Sequence, residues 1–224
     1  MGELALPALR DPVTRMRQTA ILLIAALFVV PSIASADRRE LYTSVEVTPG
    51  LMRATDPVTE RYTTSVGVVG GGLTATYGIT NELHLGVALH YGQATNVAFR
   101  DSTVVLSNGT ASTGTLYTDV RAAGATLVGQ YRFHLRTRLV PVLQAEVGAT
   151  FFSYENVAHI PTGAVYEVPF KNVSETAVEL RASARLEYRF GDSLVASGGL
   201  GIVANPGALR SVAVELPVTI GWIW

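Results

Sequence analysis

Ala177–Phe190 reads AVELRASARLEYRF, and its pattern decides the fold. Taken with a period of two, it separates cleanly. Val178, Leu180, Ala182, Ala184, Leu186, Tyr188 and Phe190 fall on one face, and Glu179, Arg181, Ser183, Arg185, Glu187 and Arg189 on the other. Successive side chains of a β-strand point to opposite faces. Wound as a helix, the segment would scatter charge around its whole circumference, so the pattern selects a strand. The C-terminal segment repeats it. Val212, Val214, Leu216, Val218, Ile220, Trp222 and Trp224 share one face, opposite Ser211, Ala213, Glu215, Pro217, Thr219, Gly221 and Ile223.

Working outward from these two, segments 41–51, 64–79, 83–92, 119–134, 139–153 and 193–203 alternate with less contrast, giving eight predicted strands. Most are at least as long as the roughly 9–11 residues a tilted strand needs to cross a bilayer. Thr80-Asn81-Glu82, Leu135-Arg136-Thr137-Arg138 and Gly191-Asp192 are short turns, whereas 52–63, 93–118, 154–176 and 204–210 are longer or more polar. Short turns at one end and long loops at the other suit a closed antiparallel up-and-down transmembrane β-barrel. With the N-terminus in the periplasm, the long loops lie outside the cell. Pro49, Pro141 and Pro217 fall inside predicted strands, where each removes a ladder donor, so a bulge is expected at Pro217 or Pro141.

Alternation does not say which face points inward, but the charges do. The polar faces carry Glu46, Glu146, Glu179, Arg181, Arg185, Glu187, Arg189 and Glu215, while the apolar faces are almost free of ionisable groups. An eight-stranded barrel has an interior just wide enough for side chains to fill. Both signs of charge fit there, and the apolar face then meets lipid. Tyr77, Tyr91, Tyr131, Phe133, Tyr188, Phe190, Trp222 and Trp224 are placed to form interfacial belts. A soluble sandwich with its polar face in water is the alternative, and the long apolar faces ending in aromatics argue against it. Buried charges must pair. The expected network centres on Arg181 and Arg185, with Glu146, Glu187, Glu215 and Glu46 as partners. It reads as a salt-bridged plug, with a gated polar path as the other reading.

Before Asp37 the chain has a different character. Arg15 and Arg17 precede the apolar run Ala20–Val30, Pro31 ends it, and Ala34-Ser35-Ala36 follows. The run is too short to span a bilayer as a helix. A basic start, short apolar centre and A-x-A end make a signal peptide, cleaved between Ala36 and Asp37. The predicted domains are therefore a signal peptide, 1–36, and a barrel, 37–224, with Met1 or Met16 as the start. Cleavage removes Arg10, Arg15, Arg17, Glu3 and Asp11, leaving 14 basic and 16 acidic residues. A net charge of −2 gives no support for nucleic-acid binding. There is no cysteine, so neither disulfides nor a lipoprotein anchor is expected.

The ending Val218-x-Ile220-x-Trp222-x-Trp224 resembles the last strand of bacterial outer-membrane proteins. With the signal peptide, the eight-strand layout and the Gly-rich strands, the mature chain resembles the OmpA-like, OmpX-like and OmpW-like small barrels. The resemblance implies an outer-membrane location in a Gram-negative cell envelope. It implies that the barrel assembly machinery reads Val218, Ile220, Trp222 and Trp224, and that membrane lipid and lipopolysaccharide are partners of a monomer. The sequence ends at Trp224, so no peptidoglycan-binding domain is expected.

Catalytic and metal chemistry find little footing. His84, His90 and His134 point inward by the alternation, His159 falls in a predicted loop, and none has metal-ligand spacing with a carboxylate beside it. Gly199–Ala204 loosely matches a dinucleotide fingerprint but lies on a strand. Loop 93–118 carries Phe99, Val104, Val105 and Leu106, and loop 154–176 carries Ile160, Val165, Tyr166 and Phe170, read as hairpin extensions above the membrane. The expected function is a non-enzymatic outer-membrane barrel with a structural or surface-binding role and no cofactor. A passive channel for small or hydrophobic solutes, and a lipid A-modifying enzyme, are the alternatives.

Overall fold

The computed structural model describes residues 40–133, 137–207 and 209–224. The expected signal peptide, its cleavage residues Ala34, Ala36 and Asp37, and His134 lie outside the described residues. The described chain forms ten strands: β1 (Leu41–Thr55), β2 (Thr63–Gly78), β3 (Leu83–Val105), β4 (Ala111–Arg132), β5 (Leu139–Pro161), β6 (Val168–Pro169), β7 (Val173–Phe190), β8 (Leu194–Asn205), β9 (Ser211–Glu215) and β10 (Val218–Ile223). Strand β6 is a two-residue addition to β5, while β9 and β10 are two pieces of one stave that pairs with both β8 and β1. Every pairing is antiparallel and the sheet closes, so it has eight staves and no free edge.

The register fixes the shape. Stepping between paired residues, Tyr42 leads to Thr76, Gly86, Val128, Glu146, Arg181, Val203, Ala213 and back to β1 at Met52, ten residues above the start. A stagger of this size on eight strands tilts them by about 40° and leaves a lumen that side chains can fill.

The strands run further than their polar contrast suggested. Loop 93–118 is mostly the outer part of the β3–β4 hairpin, and β5 continues to Pro161. The expected bulge at Pro217 or Pro141 is absent. Pro141 pairs with Leu186 in an unbroken ladder, and the β8 and β1 registers are the same on both sides of Pro217. Proline there costs a donor without shifting the register. Bulges occur instead between Ala94 and Val97, between Phe99 and Ser102, and between Tyr117 and Asp119. Asn96, Asp101 and Asn156 beside them have positive φ of 53°, 56° and 54°. Asn and Asp tolerate this left-handed conformation better than other side chains with a Cβ.

Each bulge turns the strand over. Even-numbered residues of β3 face inward up to Ala94; after Asn96 the odd-numbered Val97 and Phe99 do, and after Asp101 Ser102 and Val104 do. On β5 the bulge turns Val157 and His159 inward. Polarity also inverts along the barrel, on strands with and without a bulge. In the half nearer the short turns, apolar side chains face outward: Val218 is 57% exposed, Leu127 65% and Leu73 52%. Nearer the long loops, Met52, Val97, Phe99, Leu116, Val120, Phe152, Tyr154 and Val157 pack inside, joined by Val58 and Tyr62 of the β1–β2 connection. Arg53, Arg121 and Arg100 point outward there.

Candidate functional site

The lumen holds three stacked layers. At the short-turn end, buried Arg132 donates from Nη1 to Glu187 Oε1 at 2.9 Å and from Nη2 to Gln130 Oε1 at 3.3 Å. Its guanidinium lies 4.1 Å from the ring centroid of Tyr42. Arg189, at the rim, reaches the same Glu187 at 3.5 Å. Aromatics surround this end on the outside. Tyr131 and Phe133 meet edge to face at 5.0 Å, as do Tyr188 and Phe190 at 4.7 Å. Trp222 and Trp224 are exposed, and Trp224 Nε1 donates to Thr43 Oγ1 at 3.0 Å. Tyr91 sits apart from this belt, toward the long-loop side of β3, where it pairs with Gly71 and Ala123.

The middle layer contains most of the charge. Arg185 Nη2 lies 2.6 Å from Glu46 Oε2. Arg181 holds Glu215 at 2.6 Å and Glu179 at 3.2 Å, with Glu46 at 3.8 Å. Thr150 donates to the other oxygen of Glu179. Glu146 has a different partner from the one expected. His90 Nε2 lies 2.7 Å from its Oε2, and Thr126 Oγ1 donates to the same oxygen at 2.5 Å. Two glutamines join the middle and lower layers. Gln130 Nε2 donates to Gln144 Oε1 at 2.7 Å, and Gln144 Nε2 to Glu146 Oε1 at 2.5 Å. A polar chain thus runs from Glu187 through Arg132, Gln130, Gln144 and Glu146 to His90.

The eight sequence-predicted charges are brought together, but not as one network around Arg181 and Arg185. Glu187 belongs to Arg132 and Arg189 at the short-turn end, and Glu146, although Arg181 is its ladder partner, gives its oxygens to His90, Thr126 and Gln144. Arg132 and His90 were missed as partners. Their strands carry few charges, and only the inward parity of even-numbered residues on β3 and β4 marks them.

Above the charges comes the apolar layer. A cavity of about 60 Å³ separates the two, with Glu179, Arg181, Glu215 and His90 on its polar side and Met52, Val120, Phe152 and Val203 on its apolar side. It has room for a few water molecules. At the long-loop end, His159 is in strand β5 and not in a loop; it is buried, with Nε2 3.2 Å from Ser112 Oγ. Its Nδ1 has no hydrogen-bond partner among the described residues. Among those residues no group of three or more His, Asp or Glu could hold a metal ion.

The β1–β2 connection is held by one side chain. Buried Asp56 accepts from the amides of Val58 and Thr59 at Oδ1, and from Thr59 Oγ1 and the amides of Arg61 and Tyr62 at Oδ2, all between 2.7 and 3.0 Å. Burial pushes its pKa up, but these donors outweigh burial and hold it below the ordinary 3.8.

No family model and no curated protein sequence matches the chain. Solved structures do. Neisserial surface protein A (NspA) is 15% identical with a TM-score of 0.51, over 80% of this chain and 96% of that one. A major outer membrane protein from Thermus thermophilus is 15% identical with a TM-score of 0.52, over 82% of this chain and 99% of that one. At this identity the likeness is one of fold, and the fold is that of the small outer-membrane β-barrels.

Proposed function

We propose that this chain is a monomeric, non-enzymatic outer-membrane protein, closed from within, whose specific work is done by the hairpins on its long-loop side. The observation that carries this reading is the filled lumen. Paired charges occupy the lower and middle layers, and a packed apolar core occupies the upper one. A polar path through the barrel would have to cross the apolar core, where ions are poorly solvated. The exposed apolar band suits contact with acyl chains. The long-loop end then faces outward from the cell, and Val218, Ile220, Trp222 and Trp224 stand on the lipid side, where assembly machinery could read them.

Planar-bilayer recording tests the closure. The purified barrel should insert without steady conductance, and a steady ohmic current would refute a sealed lumen.

A lipid-modifying activity has one observation in its favour, the Ser112–His159 contact. Among the described residues, His159 Nδ1 lacks the third group that would orient the ring. Mass spectrometry of lipid A from cells with and without the protein should show the same profile; a changed profile, lost in Ser112→Ala, would favour the enzyme.

A further inference from the structure

Charges outside the barrel above the apolar band are unevenly distributed. On the β4–β5 side they satisfy one another. Arg121 pairs with Glu155 at 3.0 Å, and Asp119 accepts from the Asn96 amide and Asn156 Nδ2. The β1–β9 seam differs. Arg53 follows lipid-facing Leu51 on the outward face of β1, and Val212 is its ladder partner. Arg210 extends the outward positions of Val212 and Val214, and its carbonyl is held by Thr55 Oγ1 at 2.9 Å. Both arginines are exposed, and among the described residues neither makes an ion pair. Arg53 Nε and Nη2 rest on Thr63 Oγ1 at 3.3 and 3.1 Å. Glu60 and Arg61 of the β1–β2 connection offset each other in charge, and Glu175, which accepts from the Leu209 amide at 3.1 Å, stands on the inward face of β7, so the outward side of the seam carries the two arginines.

We propose that Arg53 and Arg210 form a site for the phosphate of an outer-leaflet lipid. The inference rests on the outer-membrane reading above. Leu51 below Arg53, and Val212 and Val214 below Arg210, are exposed apolar side chains at 67%, 51% and 46%. Two residues along a strand tilted by about 40° rise about 5 Å. An acyl chain lying on those side chains therefore brings its headgroup level with the arginines. Diagonal cross-strand neighbours stand roughly 7–8 Å apart, a span that one phosphate can bridge with an oxygen toward each guanidinium. A guanidinium suits this better than an ammonium, because its fork of donors matches phosphate geometry.

The test is native mass spectrometry of the full barrel, folded in detergent and titrated with diphosphorylated lipid A or with the same lipid dephosphorylated. Wild type should retain the diphosphorylated lipid about tenfold better, the scale of one lost charge-assisted contact. Arg53→Gln/Arg210→Gln should lose that preference, while Arg121→Gln, which breaks a pair already neutralised, should keep it. A heat-modifiable gel band shows that each variant is folded. Unchanged preference in Arg53→Gln/Arg210→Gln, or equal retention of both lipids by wild type, would overturn the site. So would full displacement of the lipid by millimolar inorganic phosphate, which would make it a site for free anions. Failure of wild type to insert into lipid vesicles would instead sink the outer-membrane reading itself.

Discussion

Removing one partner from the Glu46–Arg185 pair should show whether the lumen is dry. The two side chains are 2% and 5% exposed and meet at 2.6 Å. Arg185→Met leaves Glu46 only Arg181, 3.8 Å away and already committed to Glu215 and Glu179. An uncompensated buried charge costs about 3–5 kcal/mol. Glu46→Gln/Arg185→Met removes both charges and should recover most of that loss, because an apolar replacement of a buried pair is often close to neutral. In a water-filled path the same pair would be screened and worth about 0–1 kcal/mol. The assay is urea unfolding in lipid vesicles followed by tryptophan fluorescence. Trp222 and Trp224, the only two tryptophans, lie on the outer surface at the short-turn rim and report loss of lipid contact. A loss under about 1 kcal/mol for Arg185→Met, or a double variant as unstable as the sum of the single ones, would refute a sealed ionic layer.

Asp56→Asn should destabilise the outer core by about 2 kcal/mol at neutral pH, since an amide turns N–H groups toward donors that need an acceptor. The folded pKa of Asp56 is depressed, so its contribution is fully present above 3.8 and disappears as pH falls through the lower folded value. The gap between wild type and Asp56→Asn in urea titrations should therefore close in acid; a gap that widens would refute the assignment. Gly148→Val should impair folding, because a Cβ there would strike the Ala125 carbonyl and come within 2.6 Å of Thr126 Cα, both strand β4 backbone. Gly67→Ala, with nothing within 4 Å, should change stability by less than about 0.5 kcal/mol. Equal folding yields for these two variants would contradict the close β4–β5 approach. Deleting Trp224 should lower the amount of assembled barrel in cells more than its stability after refolding, measured as the heat-modifiable band in each case.

The barrel was legible where alternation and charge coincide. Ala177–Phe190 and Val212–Trp224 announce both the strand and its orientation, because an interior glutamate and an exterior leucine cannot exchange places. The pairings were less legible. Glu146 does stand opposite Arg181 in the β5–β7 ladder, but its oxygens go to His90, Thr126 and Gln144, a choice made by side chains of other strands that alternation along one strand does not encode. The outer extensions of β3 and β5 were hidden for a local reason. Asn96, Asp101 and Asn156 are turn-forming residues, and each breaks the period of two by one position. On either side of Asn96 the alternation is regular, with Ala94 inside before it and Val97 and Phe99 inside after it. Read across the bulge, the two patterns cancel and resemble a loop.

The inversion of polarity means that the molecule answers to two different solvents. Exclusion of water holds the outer section together, as it does in a protein of the cytosol or the bloodstream. The inner section gains nothing of that kind from hydrocarbon, and owes its cohesion to ladder bonds and ion pairs that acyl chains leave unchallenged. Extraction from lipid therefore challenges one section, and chaotropes in the external medium the other, so the two ends should lose order separately.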